Sequence, residues 1–202
     1  LMAEAIGAAV YEKGARLGMS YVVGDGTNAE LTSLGGPWSQ APIVDNTGVR
    51  FVNEYCHSLN YPSLIYRHAA PYYCIYGSDR EDYAAILANN VDDPAVTSAD
   101  TLEELADKLG FDKQAFLDCI AVYNAAKDTG VDAAFGARVD FMNFATVGPF
   151  YAVQIAPQYT GTIGGVVTDT SAQVLRADGT AIGGLYAAGE ASNGALYALV
   201  YM

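Results

Sequence analysis

The sequence predicts an α+β fold in which a β-rich segment, a helical middle and a second β-rich segment follow one another. Residues 19–60 and 150–188 alternate short β-branched and aromatic runs with clusters of Gly, Asp and Asn. Between them, residues 98–127 place apolar side chains at helical spacing with capping residues at hand. With 51% hydrophobic and 16% charged residues over 202 positions, the composition suits a chain that buries a core, not a disordered or coiled-coil one.

From the N-terminus, Met2, Ala5, Ile6, Ala9 and Val10 follow helical spacing until Gly14 and Gly18, so an opening helix is expected. Tyr21-Val22-Val23 is a short β-prone run. Ile43 to Val52 reads as a β-hairpin about Asp45-Asn46-Thr47-Gly48. Tyr72 to Tyr76 is a further β-prone run, ending in the polar Gly77-Ser78-Asp79-Arg80. Ser98-Ala99-Asp100 precedes a helix from Thr101 with acids in its first turn and Gly110 as its stop. Asp112 caps a second helix with Phe116, Ile120 and Tyr123 on one stripe, reaching to about Lys127. Past Phe150, strands are expected at 151–155, 165–168, 173–176 and 184–188, with Asp178-Gly179 as a hairpin turn.

Composition excludes several function classes. Ten basic against 23 acidic residues give a net charge of −13, which argues against a nucleic-acid partner. No apolar stretch approaches the roughly 18 residues a membrane span requires, so no membrane insertion is expected. Cys56, Cys74 and Cys119 are odd in number and lack CxxC spacing, and His57 and His68 have no carboxylate at ligand spacing, so neither a disulfide framework nor a metal site is expected. No GxSxG motif recommends a serine hydrolase. The first residues already show helical spacing without an N-cap, and the last lie in an apolar run without a C-cap, so a fragment of a larger protein is expected. No leader is read at Leu1 to Glu4, and bacterial cytoplasm or export both stay open.

The tail carries the most chemistry. Gly161-Thr162-Ile163-Gly164-Gly165-Val166-Val167-Thr168-Asp169 opens a β unit, and Gly183-Gly184-Leu185-Tyr186-Ala187-Ala188-Gly189-Glu190 closes it. Gly164-Gly165 either serve a turn or let a large flat ligand approach the backbone. Gly189 leaves the amides after it free, and Glu190 can accept hydrogen bonds from hydroxyls. With Arg50-Phe51-Val52-Asn53-Glu54 upstream, these runs resemble the FAD-dependent fumarate reductase and succinate dehydrogenase flavoprotein family, in its flavocytochrome c-like branch with urocanate reductase and 3-ketosteroid dehydrogenase relatives. The order of segments also resembles that family's, and the resemblance covers nearly the whole chain.

The resemblance implies a two-part fold: residues 1–40 and 156–202 in the FAD-binding domain, and residues 41–155 in a mobile capping domain over the substrate. The GxGxxG turn that holds the ADP half of FAD is not in the sequence, so FAD is expected in the full-length protein and weakly or not at all in this fragment. Family practice places Gly184, Ala188, Gly189 and Glu190 along the ribityl and pyrophosphate side, with Gly164 and Gly165 against the isoalloxazine. The implied reaction passes hydride between flavin N5 and an activated carbon–carbon double bond, with an electron donor serving the full-length protein.

For the reacting groups, Glu54 matches the family's RFxNE glutamate. The arginine that follows it there is absent here, with His57 nearest. Arg80 lies within about one residue of the family's proton-donating arginine, and between Asp79 and Glu81 it also reads as part of a solvated charge run. An arginine loses a proton only with help from nearby carboxylates, and Glu54 or Glu81 would suit such a relay. The family's substrate-clamping His falls at Thr160 or Gly161, beside Tyr159, and its late Arg falls near Leu199 to Tyr201, where no Arg stands. A second substrate carboxylate would lack a charged partner, so a small-molecule unsaturated substrate other than fumarate is expected. Tyr159 is then an alternative proton donor. A ketosteroid-type dehydrogenase, or a binding domain that keeps the fold without the chemistry, are the rival expectations.

Overall fold

The structure, a computed structural model, describes residues 2–24, 41–54 and 67–195, with the side chains of 12–22, 157–163 and 193–195 outside the description. In chain order the elements are α1 (Met2–Ala5), β1 (Val10–Val23), β2 (Ile43–Val44), β3 (Tyr72–Tyr76), α2 (Glu81–Ala88), β4 (Val96–Ala99), α3 (Leu102–Leu109) and α4 (Lys113–Thr129). A 3-10 turn at Val139–Phe141, β5 (Phe150–Val166), β6 (Gln173–Leu175), β7 (Ala181–Tyr186) and a 3-10 helix at Gly189–Ala195 follow. The mix of helices and small sheets is the predicted α+β class. Two units form, residues 20–158 and residues 1–19 with 159–202.

The larger sheet has the order β1-β5-β3-β2, with β4 also pairing β5. β3 runs antiparallel to β5, from Tyr72 opposite Ile155 to Tyr76 opposite Tyr151. Successive β3 side chains enter opposite cores: Cys74 and Tyr76 pack with Tyr83 and Leu87 of α2, while Ile75 packs with Leu105 of α3 and Phe116 and Ile120 of α4. A strand buried on both faces needs no polar alternation, which is why Tyr72 to Tyr76 reads as a continuous apolar run.

Local signals set the helical side. Thr101 Oγ1 accepts from Glu104 N–H at 3.1 Å and opens α3, and Asp112 Oδ1 accepts from Ala115 N–H at 3.1 Å and opens α4. Gly110 and Gly130, each at φ +70°, close the two helices in the left-handed conformation that glycine adopts without strain. Ser98 and Ala99, upstream of the cap, are spent in β4.

Elsewhere the chain departs from expectation. The opening helix is a single turn, and β1 runs on through Gly14 and Gly18. Alanine and glycine at helical spacing specify little, whereas Ala8 bridges Arg176 and Ala9 N–H donates to Leu175 O at 2.8 Å, drawing the segment into extended structure. The hairpin at 43–52 reduces to one bridge, Val44 to Arg50, about a turn in which Asp45 Oδ1 accepts from Thr47 N–H at 2.9 Å. Two expected strands merge into β5, while α2 and β4 form where the spacing marks neither a helix nor a strand. The β6–β7 hairpin forms about Asp178-Gly179, where Gly179 takes φ +83°. Residues 1–19 with 159–202 bury a small cluster of Ala8, Val174 and Ile182, with Val166 and Leu185 against it.

Among the loops of residues 20–158, one buried cation makes the connection. Arg50 Nε and Nη2 donate to Glu54 Oε1 and Oε2 at 2.7 and 2.6 Å, while Nη1 and Nη2 donate to Asp132 Oδ1 and Oδ2 at 2.9 and 2.8 Å. The three side chains are 2%, 3% and 0% exposed. The guanidinium lies 4.7 Å from the Tyr123 ring centroid and 4.8 Å from that of Phe135. One positive charge faces two negative ones, and backbone donors take up the excess: Ile43 N–H reaches Glu54 at 3.0 Å, and Ala134 and Ala137 N–H reach Asp132 at 3.2 and 3.0 Å. Burial alone would raise the Asp132 carboxyl, but Arg50 and these amides outweigh it and hold it at about 2. Burial dominates at Glu54 and pushes its carboxyl above the ordinary range, with Arg50 offsetting part of the rise.

Replacing Arg50 by Met leaves two buried carboxylates uncompensated, and urea unfolding should show a loss of about 3–5 kcal/mol, with Arg50→Lys recovering part of it. The acid response separates the two carboxylates. A depressed folded-state value stabilises the fold above the ordinary carboxyl range and loses that effect as pH falls through it; the raised Glu54 carboxyl has the opposite sign, favouring the fold at low pH. The stability gap between the wild type and Asp132→Asn should therefore shrink by about 2 kcal/mol as pH falls from 5 to 2, and a gap independent of pH would contradict it.

Candidate functional site

Arg80 stands at the end of a loop whose backbone is pinned before the chain reaches it. A Cβ on Gly77 would lie 2.8 Å from Ala145 Cα and 2.9 Å from Val147 O, so only glycine fits there. Ser78 N–H donates to Val147 O at 2.7 Å, and its hydroxyl to Pro149 O at 2.8 Å. The Asp79 carboxylate accepts from Thr146 N–H at 2.7 Å, Val147 N–H at 3.1 Å and Lys127 Nζ at 3.1 Å, and also from the Thr146 hydroxyl. Burial raises Asp79, but these donors outweigh it and hold the carboxyl below its ordinary range.

Arg80 then occupies the N-cap position of α2, with extended backbone and no side-chain cap. Its Nη2 and Nε donate to Asp82 at 2.6 and 3.2 Å, and its Nη1 to Asn143 Oδ1 at 3.2 Å. The guanidinium carbon sits 4.3 Å from the Tyr83 ring centroid. The side chain is 45% exposed, so this is a cation held on three sides and open on the fourth. Hydrogen bonding to Asp82 raises its value above the ordinary arginine range. Glu54, by contrast, has both oxygens engaged by Arg50 and the Ile43 amide, and the carboxylate in contact with Arg80 is Asp82.

His57 lies outside the described residues, and Tyr159 is placed only as backbone within β5. Asp132, Asp82 and Asn143 carry no motif in the sequence. Arg50 was visible within RFxNE, but Asp132 and Asn143 meet their partners across 82 and 63 positions, a separation that leaves no local pattern.

The glycines of the tail divide by cause. Gly164 and Gly165 take φ +121° and +155°, and a Cβ on Gly165 would overlap the Ala191 carbonyl, so the approach of the final 3-10 helix requires that glycine. Gly184 and Gly189 take φ +77° and +64°, and a Cβ at either would project into open space. Gly184, Ala188, Gly189 and Glu190 are exposed, and Tyr186 is 59% exposed. This is a bare strip of backbone with a carboxylate at its end, which fits a group laid flat along the chain with hydroxyls near Glu190. The residues present suit one side of an FAD.

NADH:acrylate oxidoreductase of Vibrio harveyi is 37% identical over 194 residues, covering 88% of this chain and 19% of that protein. The open conformation of a flavocytochrome c3 fumarate reductase superposes with a TM-score of 0.70 at 29% identity, over 96% of this chain and 34% of that one. The 3-ketosteroid delta1-dehydrogenase of Sterolibacterium denitrificans, at 22% identity and a TM-score of 0.74 over 94% of this chain and 40% of its own, shares the fold. The chain thus spans about a fifth of the length of the Vibrio relative. A family model described as an FAD binding domain matches residues 21–198, and the chain belongs to that family, whose members bind FAD.

Proposed function

We propose that the chain is part of an FAD-dependent oxidoreductase acting on an activated carbon–carbon double bond, with residues 41–155 serving as the substrate-covering part and residues 1–40 and 156–202 contributing to the FAD-binding part. When bound, FAD supplies hydride exchange with the substrate carbon at N5. The chain's own residues bind and move the proton. Gly184, Ala188, Gly189 and Glu190 hold one side of the cofactor, and Gly164 with Gly165 shape the strand end beside it.

Arg80 carries this reading. A guanidinium fixed by Asn143 and Tyr83 on a loop pinned at Gly77, Ser78 and Asp79 is positioned well beyond what a surface charge run needs. It can grip a substrate carboxylate and hold a proton close to the neighbouring carbon. Giving that proton to the substrate carbon leaves Arg80 neutral, and Asp82, exposed and on the first turn of α2, passes a proton from water back to it. Tyr159 is the second candidate donor. Glu54 holds the frame through Arg50. With no arginine near Leu199 to Tyr201, a substrate with a single carboxylate suits the chain better than fumarate, and the acrylate in the Vibrio relative's name is a compound of that class.

The test uses the FAD-loaded protein that carries this chain, reduced anaerobically and mixed with acrylate and longer enoates, fumarate, urocanate-like acids and steroids, while the flavin band near about 450 nm is followed. A monocarboxylic enoate should restore the band fastest, and Arg80→Ala should slow it by about 10²–10⁴-fold. A slowing confined to Tyr159→Phe would move the proton donor to that residue. A protein without flavin, or one reoxidised by none of these compounds, would favour the binding-domain alternative.

A further inference from the structure

Asn143 is built in at a cost that its fold role does not explain. It follows the 3-10 turn Val139–Phe141 in a segment fastened to α4: Asn124 Nδ2 donates to Ala145 O at 2.7 Å, Ala145 N–H donates back to Asn124 Oδ1 at 3.0 Å, and Asn143 N–H donates to the Tyr123 hydroxyl. The Asn143 side chain is buried, with the residue 5% exposed. Its Oδ1 accepts from Arg80 Nη1, and its Nδ2 is the one buried side-chain nitrogen or oxygen among the described residues with no hydrogen-bond partner. Burying an unpaired amide donor is unfavourable. Turning the amide over would aim that donor at a guanidinium, which has only donors, so Arg80 dictates the orientation.

An aspartate in the same place would remove the orphaned donor and strengthen the bond to Arg80, and a leucine would remove both polar atoms. Asparagine does what neither can: it orients the guanidinium with an acceptor that carries no charge. We propose that Asn143 is a positioning residue for Arg80, fixing the plane of its guanidinium for proton delivery without adding a second carboxylate beside it. This rests on the reading of Arg80 as the proton donor. The groups that face Arg80 are Asp82 and Tyr83 of α2, Tyr76 of β3 and Asn143. Burial pushes the Tyr76 and Tyr83 hydroxyls above their ordinary range, so both are neutral and Asp82 is the sole carboxylate of this set.

The FAD-loaded protein carrying this chain tests it with the best enoate from the panel as probe. Asn143→Asp, nearly the same size, should lower kcat by about tenfold or more with KM within about twofold, and move the alkaline limb of the kcat profile upward by about 1 pH unit. Asn143→Leu should lower kcat to a similar degree and leave the limb in place. Independently of turnover, 15N NMR of the wild type should show hindered rotation of the Arg80 guanidinium, lost in Asn143→Leu. If Arg80→Ala abolishes turnover while both Asn143 variants keep wild-type kcat and pH profile, this inference is wrong and the Arg80 reading stands. If Arg80→Ala keeps wild-type kcat, the Arg80 reading fails and this inference with it. A freely rotating Arg80 guanidinium in the wild type overturns the inference even where the variants do not fold.

Discussion

A guanidinium removed from water must find its hydration replaced in full, and Arg50 finds it replaced by two carboxylates and two aromatic faces. The requirement is reciprocal. Glu54 and Asp132 are themselves buried, so none of the three can be taken away without stranding charge in a medium that stabilises it poorly. Because Glu54 also accepts from Ile43 at the start of β2, and Asp132 from the loop after α4, one charged cluster fixes the position of two loops that share no backbone pairing with each other. Lysine could supply the charge but not the planar fork that serves two carboxylates at once.

The same frame extends to Arg80 through α4. Tyr123 lies under the Arg50 guanidinium and accepts from the Asn143 backbone N–H on its hydroxyl, Asn124 clamps Ala145, and Lys127 pairs with Asp79. Three side chains within five residues of one helix therefore bind a buried cation to a segment that shapes a half-exposed one. The exposed contacts contribute little stability individually. What they supply is geometry, which the proton donor proposed at Arg80 would need.

Local chemistry was legible in the sequence and long-range chemistry was not. The caps at Thr101 and Asp112 and the stops at Gly110 and Gly130 announce α3 and α4 because each acts within one helical turn. α2 carries little local signal because its two buried side chains, Tyr83 and Leu87, mark only two turns behind a charged start. The opening helix shrinks to one turn because pairing with a distant strand, invisible to local spacing, decides that segment. In the site, the glycines were visible as letters but not in their reasons: Gly165 answers to the carbonyl of Ala191, while Gly184 and Gly189 leave backbone bare. Arg80 was visible, yet Asp82 and Asn143, which hold it, gave no pattern that distinguishes them from surface polar residues.

Arg50, Glu54 and Asp132 act as one unit and not as two independent pairs. A double-mutant cycle on unfolding with Glu54→Gln and Asp132→Asn measures that coupling. Each single variant leaves a matched pair, whereas the double variant leaves a buried cation alone, so the double loss should exceed the sum of the single losses by more than about 1 kcal/mol. Additivity within about 0.5 kcal/mol would contradict it.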